Sequence, residues 1–147
     1  MRNGQGTRVR LILLVSSLAW MSAESLAQEA GKSTVAADGI YTSDQATRGR
    51  AAFAESCSSC HLDDLSGTDR APALAGDAFV AAWEDLSVGD LFDRIQNSMP
   101  QDKPGTLTSA TTADIVGYVL QANEYPAGKA DLATDSKALK MISLKKK

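Results

Sequence analysis

The sequence predicts an all-α fold, on three observations. Apolar residues recur at helical spacing in several separate stretches opened by capping residues, glycines and prolines punctuate the intervals, and no run alternates apolar with polar residues as a half-buried strand would. The chain has 147 residues, the usual size of one domain, so a single hydrophobic core is expected.

The first helix is expected to start with Ser43 as its cap and Asp44-Gln45-Ala46 as its first turn. Phe53 lies four residues beyond Gly49, on the same face, and the helix runs into Cys57. Residues 57–75 include Gly67, Pro72 and several polar side chains, so they read as loop. A short helix follows from Asp77 to Trp83. Ser87 with Asp90 three residues later resembles a capping box, and Val88, Leu91, Phe92 and Ile95 then recur at helical spacing. This third helix stops before Pro100. Met99-Pro100 through Pro104-Gly105 is a turn, because each proline fixes its own backbone and biases its predecessor away from helix. Thr108 or Thr111 starts a last helix carrying Ile115, Val116, Val119 and Leu120, which ends near Asn123 and Pro126.

The two ends differ from this middle. Met1–Arg10 carries three arginines and no acid, Leu11–Ala19 is a short apolar run, and Ser25-Leu26-Ala27 offers small residues at the positions a signal peptidase reads. Residues 1–27 are therefore expected to be a signal peptide, which directs the chain to an oxidising compartment and fits a bacterial periplasm best. An apolar stretch of about nine residues falls short of the roughly 20 needed to span a bilayer, so no stable membrane insertion is expected. Residues 28–40, rich in Ala, Gly, Ser and Thr, read as a flexible leader. The domain is expected at 41–126, with 127–147 as a loose lysine-rich tail.

The full chain carries net charge −3. Between Asp38 and Asp135 there are 16 acids against six bases, whereas Ser136–Lys147 has five lysines and no acid. So acidic a body excludes nucleic acid, since phosphate binding requires basic residues gathered on one face.

The chain contains two cysteines and one histidine, and all three lie within Cys57-Ser58-Ser59-Cys60-His61. This is the attachment pattern of a c-type haem. One turn presents both thiols to the two vinyl groups of a porphyrin while the adjacent imidazole of His61 faces the iron. The rival readings are weaker. A zinc site needs four ligands and the chain has three Cys and His in all. A thioredoxin-like redox pair belongs beside a βαβ pattern, which is absent here. A disulfide closing so short a loop would add little stability. With no second histidine, the sixth iron position falls to a methionine, to an exogenous small molecule, or to nothing. Of the two methionines beyond residue 27, Met141 sits in the lysine-rich tail. Met99 follows an amphipathic helix and precedes a proline-braced turn, so it is the better-placed ligand. Ligation by Met and His raises the reduction potential and suits electron transfer.

The region from Ser43 to Asn123 resembles a class I, mono-haem cytochrome c. The residues that carry the resemblance are Gly49 and Phe53 before the cysteine motif, Ala71-Pro72-Ala73-Leu74-Ala75-Gly76, Met99-Pro100, and Asp114-Ile115-Val116-Gly117-Tyr118-Val119-Leu120. The resemblance implies three to five helices wrapped around one covalently attached haem c. It also implies that the first and last helices cross at Gly49, Phe53, Ile115 and Tyr118, and that the Pro72 carbonyl accepts the proton on the far nitrogen of His61. Leu74, Phe79, Leu91, Ile95 and Leu107 are candidates for the apolar haem wall, and Trp83 is a candidate donor to a haem propionate. More narrowly, Trp83 and Ser98–Thr108 followed by Asp114-Ile115 are similar to the small cytochromes associated with PQQ-dependent (quinoprotein) dehydrogenases, with Thr106 and Thr108 standing where serines are expected.

The function expected from these residues is single-electron transfer between redox proteins. By resemblance the donor is a quinoprotein dehydrogenase, with a terminal oxidase or another protein as acceptor. The chain is then an electron carrier, or an electron-transfer subunit, and not an enzyme in its own right. The alternative is a haem enzyme or a gas- or peroxide-binding sensor with a labile sixth ligand.

Overall fold

The computed structural model describes residues 34–146. The expected signal peptide and the first part of the expected leader lie outside the described residues. The described chain runs through strand β1 (Thr34–Val35), a 3-10 turn (Ala36–Asp38), helices α1 (Ser43–Ser56), α2 (Ser58–His61), α3 (Asp77–Trp83), α4 (Val88–Ser98), α5 (Ser109–Ala122) and α6 (Ser136–Leu139), and strand β2 (Ile142–Ser143). Among the described residues no helix is long and apolar enough to cross a membrane.

Local chemistry sets most of these boundaries. Thr42 caps α1: it is extended (φ −99°, ψ 156°) and its hydroxyl accepts from the Gln45 N–H, so Ser43 is already inside the helix and the cap lies one residue earlier than expected. Ser87 and Asp90 form a complete capping box on α4, and Thr108 caps α5 by accepting from the Thr111 N–H. α4 ends at Met99, whose backbone is extended as its following proline requires.

α1 and α5 cross in close contact. A Cβ placed on Gly49 would lie 1.8 Å from the Asp114 carbonyl oxygen and 3.0 Å from the Tyr118 Cβ, so only glycine lets the two backbones approach this far. Phe53 meets Tyr118 edge-on at 5.4 Å between ring centroids, and Ile115 is buried. Beside the crossing, Arg48 grips Asp114 with two hydrogen bonds (3.1 and 3.0 Å) and reaches Asp131 at 2.7 Å. Phe79, Val88, Leu91, Phe92 and Ile95 from α3 and α4 complete one core with α1 and α5.

The ends of the domain depart from expectation. Residues 34–38 are not part of a free leader, because β1 pairs in parallel with β2 (Thr34 opposite Ile142, Val35 opposite Ser143) and Ala36 is fully buried. Residues 127–146 are not a loose tail. Leu132, Leu139 and Leu144 are buried, and the Leu132 backbone is held by the Gln45 amide, which donates to the Leu132 carbonyl at 3.3 Å and accepts from its N–H at 2.6 Å. Tyr41 donates to the Tyr125 carbonyl at 2.6 Å, and Tyr125 in turn donates to the carbonyl of Leu144. α6 lies against α4, where Ser136 donates to Asp93 at 2.6 Å and the Lys140 ammonium sits 2.9 Å from the same carboxylate. Three leucines spread over thirteen residues show no helical or strand period, which is why their burial is not legible as a pattern.

Replacing Gly49 with alanine is expected to cost about 1–3 kcal/mol or more by overpacking against rigid backbone, read as a fall in the denaturant midpoint of the haem-loaded protein. The Asp90 and Asp93 carboxyls are held below the usual range, by hydrogen bonds from Ser87 and from Ser136 and Lys140 respectively. Their stabilisation is present above the unfolded carboxyl pKa of about 4 and is lost as pH falls through the lower folded values. Hydrogen exchange at acid pH should therefore show α6 and β2 opening, with Asp93→Asn weakening this dependence.

Candidate functional site

The two cysteines and the histidine sit where α1 hands over to α2. The Cys57 N–H still donates to the Phe53 carbonyl (2.8 Å), completing α1, while the Cys57 carbonyl accepts from Cys60 N–H (3.1 Å) and His61 N–H (3.0 Å). One tight turn therefore carries both thiols and the imidazole. The cysteines are not joined to each other. Cys60 is exposed and Cys57 half-buried, and burial, with the nearby Cys60 thiol adding to it, pushes the Cys57 thiol up to about 11.

His61 is buried, and its Nδ1 lies 2.8 Å from the Pro72 carbonyl oxygen. A carbonyl only accepts, so Nδ1 carries the proton and Nε2 is left with its lone pair available. The loop that delivers Pro72 is folded back on α2. Gly67, at φ +74°, accepts no side chain: an added Cβ would fall 2.6 Å from the Ala71 carbonyl oxygen and from backbone atoms of Pro72 and Ala73. The His61 carbonyl accepts from the Gly67 N–H (3.0 Å), the Thr68 hydroxyl donates to the Cys60 carbonyl (3.2 Å), and the Leu74 N–H donates to the Leu65 carbonyl (2.8 Å).

Met99 is half-buried and packs against the apolar core, together with Cys57, Leu74, Trp83 and Leu107. Its loop is closed at the base by Gln96, whose side-chain amide donates to the Leu107 carbonyl at 2.6 Å. The Gln96 carbonyl oxygen is buried without a partner among the described residues. Of the expected apolar wall, Phe79, Leu91 and Ile95 are buried, while Leu74 and Leu107 are partly exposed. Trp83 stacks on Phe79 (6.0 Å, 22° between planes), and its ring nitrogen has no hydrogen bond to the described residues. The surface hollow between Leu86, Asp90 and Met141 shares no residue with this cluster.

Two residues with a place here were not singled out from sequence. Gln96 lies on a helix already explained by its apolar face. Asn123, buried at the end of α5, reads in sequence only as a helix stop, because asparagine is an ordinary residue there.

The family model described as "Cytochrome C oxidase, cbb3-type, subunit III" matches residues 44–119, more than half of the chain. The chain belongs to this cytochrome c family. It is a mono-haem class I cytochrome c with a covalently bound haem c. A comparison with curated proteins finds no match. Among solved structures, the sulfane dehydrogenase SoxCD from Paracoccus pantotrophus is similar, with 24% identity and a TM-score of 0.54 over 84% of this chain and 67% of that one. At that identity the likeness speaks for the fold.

The residues present fit the group. Two unjoined thiols lie on one turn, and a neighbouring imidazole has its far nitrogen engaged and its near nitrogen free. Among the described residues no group of three or more His, Cys, Asp and Glu is arranged to hold a metal ion in their place. In the haem-free chain, alkylation at pH 8 is expected to label Cys60 well before Cys57, since the raised Cys57 pKa and its burial both reduce accessible thiolate. Mass spectrometry of a time course reads the order.

Proposed function

We propose that this cytochrome carries single electrons between redox proteins, with its haem held covalently by Cys57 and Cys60 and its iron ligated by His61 and Met99. The observation that carries the reading is the His61 geometry: Nδ1 is 2.8 Å from the Pro72 carbonyl, on the turn that also bears both thiols. That bond fixes the ring tautomer and raises the basicity of Nε2, as second-sphere partners of ligating histidines do. When bound, the haem supplies a one-electron couple. The protein's part is to hold both axial side chains in place whichever oxidation state the iron has. Pro72 and the Gly67 turn do so for His61, and Gln96 and Leu107 close the loop that holds Met99. Leu74 and Trp83 belong to the haem surroundings, and Trp83 has an uncommitted ring N–H for a propionate.

Exposed Asp63, Asp64 and Asp69 follow His61 in the attachment loop, and Ser66 holds Asp64 below the usual carboxyl range by donating to it. Negative charge beside the attachment turn favours a partner with a basic docking face and an encounter rate that falls with salt. The sequence resemblance to quinoprotein-associated cytochromes supports a PQQ-dependent dehydrogenase as donor, with a terminal oxidase or similar protein as acceptor. The Met1–Ala27 pattern supports export to the periplasm.

Met99→Ala in the haem-loaded protein is expected to lower the reduction potential, abolish the methionine-to-iron absorption band and admit carbon monoxide. A wild type that lacks the band and binds carbon monoxide as readily as the variant would overturn the carrier reading in favour of a gas- or peroxide-reactive haem.

A further inference from the structure

Asn123 caps the C-terminus of α5, yet its side chain is spent on a different part of the chain. It is 2% exposed and all its polar atoms are used. Its amide nitrogen donates to the Leu74 carbonyl at 2.8 Å and to the Val119 carbonyl at 2.9 Å, and its carbonyl oxygen accepts from the Gly76 N–H at 3.0 Å. Two of these three bonds bracket the segment Leu74–Gly76, just after Pro72. Gly76 has φ +81° and no side chain to anchor it, so Asn123 supplies the hydrogen bonds that tie this segment to α5, beside the packing of Leu74 and Ala75 against the core.

We infer that Asn123 is the positioning residue for the proposed axial histidine, acting through the Leu74–Gly76 segment on the Pro72 carbonyl that accepts from His61. The inference rests on His61 being an iron ligand. The attachment turn and the Gly67 turn fix one end of the Pro72 loop against α2, and Asn123 fixes the other end against α5. Pro72, already flanked by the Thr68–Ala71 pair and the Leu74 N–H to Leu65 bond, is thus further restrained by hydrogen bonds to a buried amide, which are costly to lose when the partners stay buried. A shorter and better-held Nδ1–H to carbonyl bond gives the imidazole more anionic character, and that favours the ferric iron over the ferrous. Asn123 thus lowers the reduction potential with no hydrogen bond of its own to the histidine.

The test uses the full-length, haem-loaded protein in three forms: wild type, Asn123→Ala, and Leu144→Ala, a control that loses buried tail contacts and stability but leaves the Pro72 loop untouched. Two quantities are read, the reduction potential and the solvent exchange rate of the His61 Nδ1 proton by NMR of the ferrous state. Asn123→Ala is expected to speed that exchange tenfold or more and to raise the ferrous-to-ferric ratio at fixed potential about threefold to tenfold, roughly 30–59 mV. Leu144→Ala should move neither. If Asn123→Ala leaves both quantities at wild-type values, or if Leu144→Ala shifts them equally, the positioning role is overturned. Should the alanine variant not take up haem, Asn123→Asp retains the acceptor for Gly76 and removes the donor to Leu74; there the faster His61 Nδ1 exchange alone is the expected readout, because the new carboxyl acts on the potential by itself, and unchanged exchange overturns the role. A wild type whose histidine ring protons show no haem-induced shift would instead remove His61 as ligand, an outcome distinct from a shifted but unresponsive ring.

Discussion

The close crossing of α1 and α5 is the constraint on which the other contacts depend. Backbone meets backbone at Gly49 and Asp114 with no room for a methyl group, and the pair of helices is locked there by Phe53 on Tyr118 and by Arg48 on Asp114. Both anchors of His61 descend from that crossing. α1 leads directly into the cysteine turn, and α5 ends in the asparagine that holds the Pro72 loop. A small change in the angle between the two helices would therefore alter the imidazole's hydrogen bond from both sides at once. Interdigitated cores resist such changes because they lack the compliance to absorb them.

The charges around this frame divide into two kinds. Arg48 is raised by the hydrogen bonds it donates to Asp114 and Asp131, and Asp131 is lowered by accepting from Thr42 and Arg48; both groups are exposed, so these contacts orient the helices more than they stabilise the fold. The acids following His61 in the attachment loop make no such structural contact with basic residues, apart from the local Asp64 and Ser66 turn, and they face outward. The acidic balance of the body is thus partly architectural and partly free to act on a partner. Two of the lysines at the end belong to the first kind: Lys140 pairs with Asp93, and Lys146 lies over the Tyr125 ring and near Glu124.

What the sequence makes legible is what local chemistry decides. The α3 span, the Ser87–Asp90 capping box and the start of α5 at Thr108 follow from caps, prolines and helical spacing alone. The cysteine motif is legible because its chemistry is compressed into five consecutive residues. The fold's contacts between distant segments are not legible in this way. Gln45 grips Leu132 and Asn123 grips Leu74 and Gly76 through side-chain amides that any surface position could also carry, and nothing in the spacing announces them. The same holds for the ends, where isolated leucines and two-residue strands leave no period to read.

The parallel pairing of β1 with β2 joins segments from nearly opposite ends of the described chain. Contacts of such long sequence separation are slow to form, because loop closure must precede any reward. The cysteine turn, by contrast, needs only residues within one turn of each other. The turn that carries Cys57, Cys60 and His61 can thus form, and be open to a haem, while the two ends of the described chain are still apart. Closure of the β1–β2 clasp would then mark the finished molecule, a seal set after the cofactor rather than a gate it must pass.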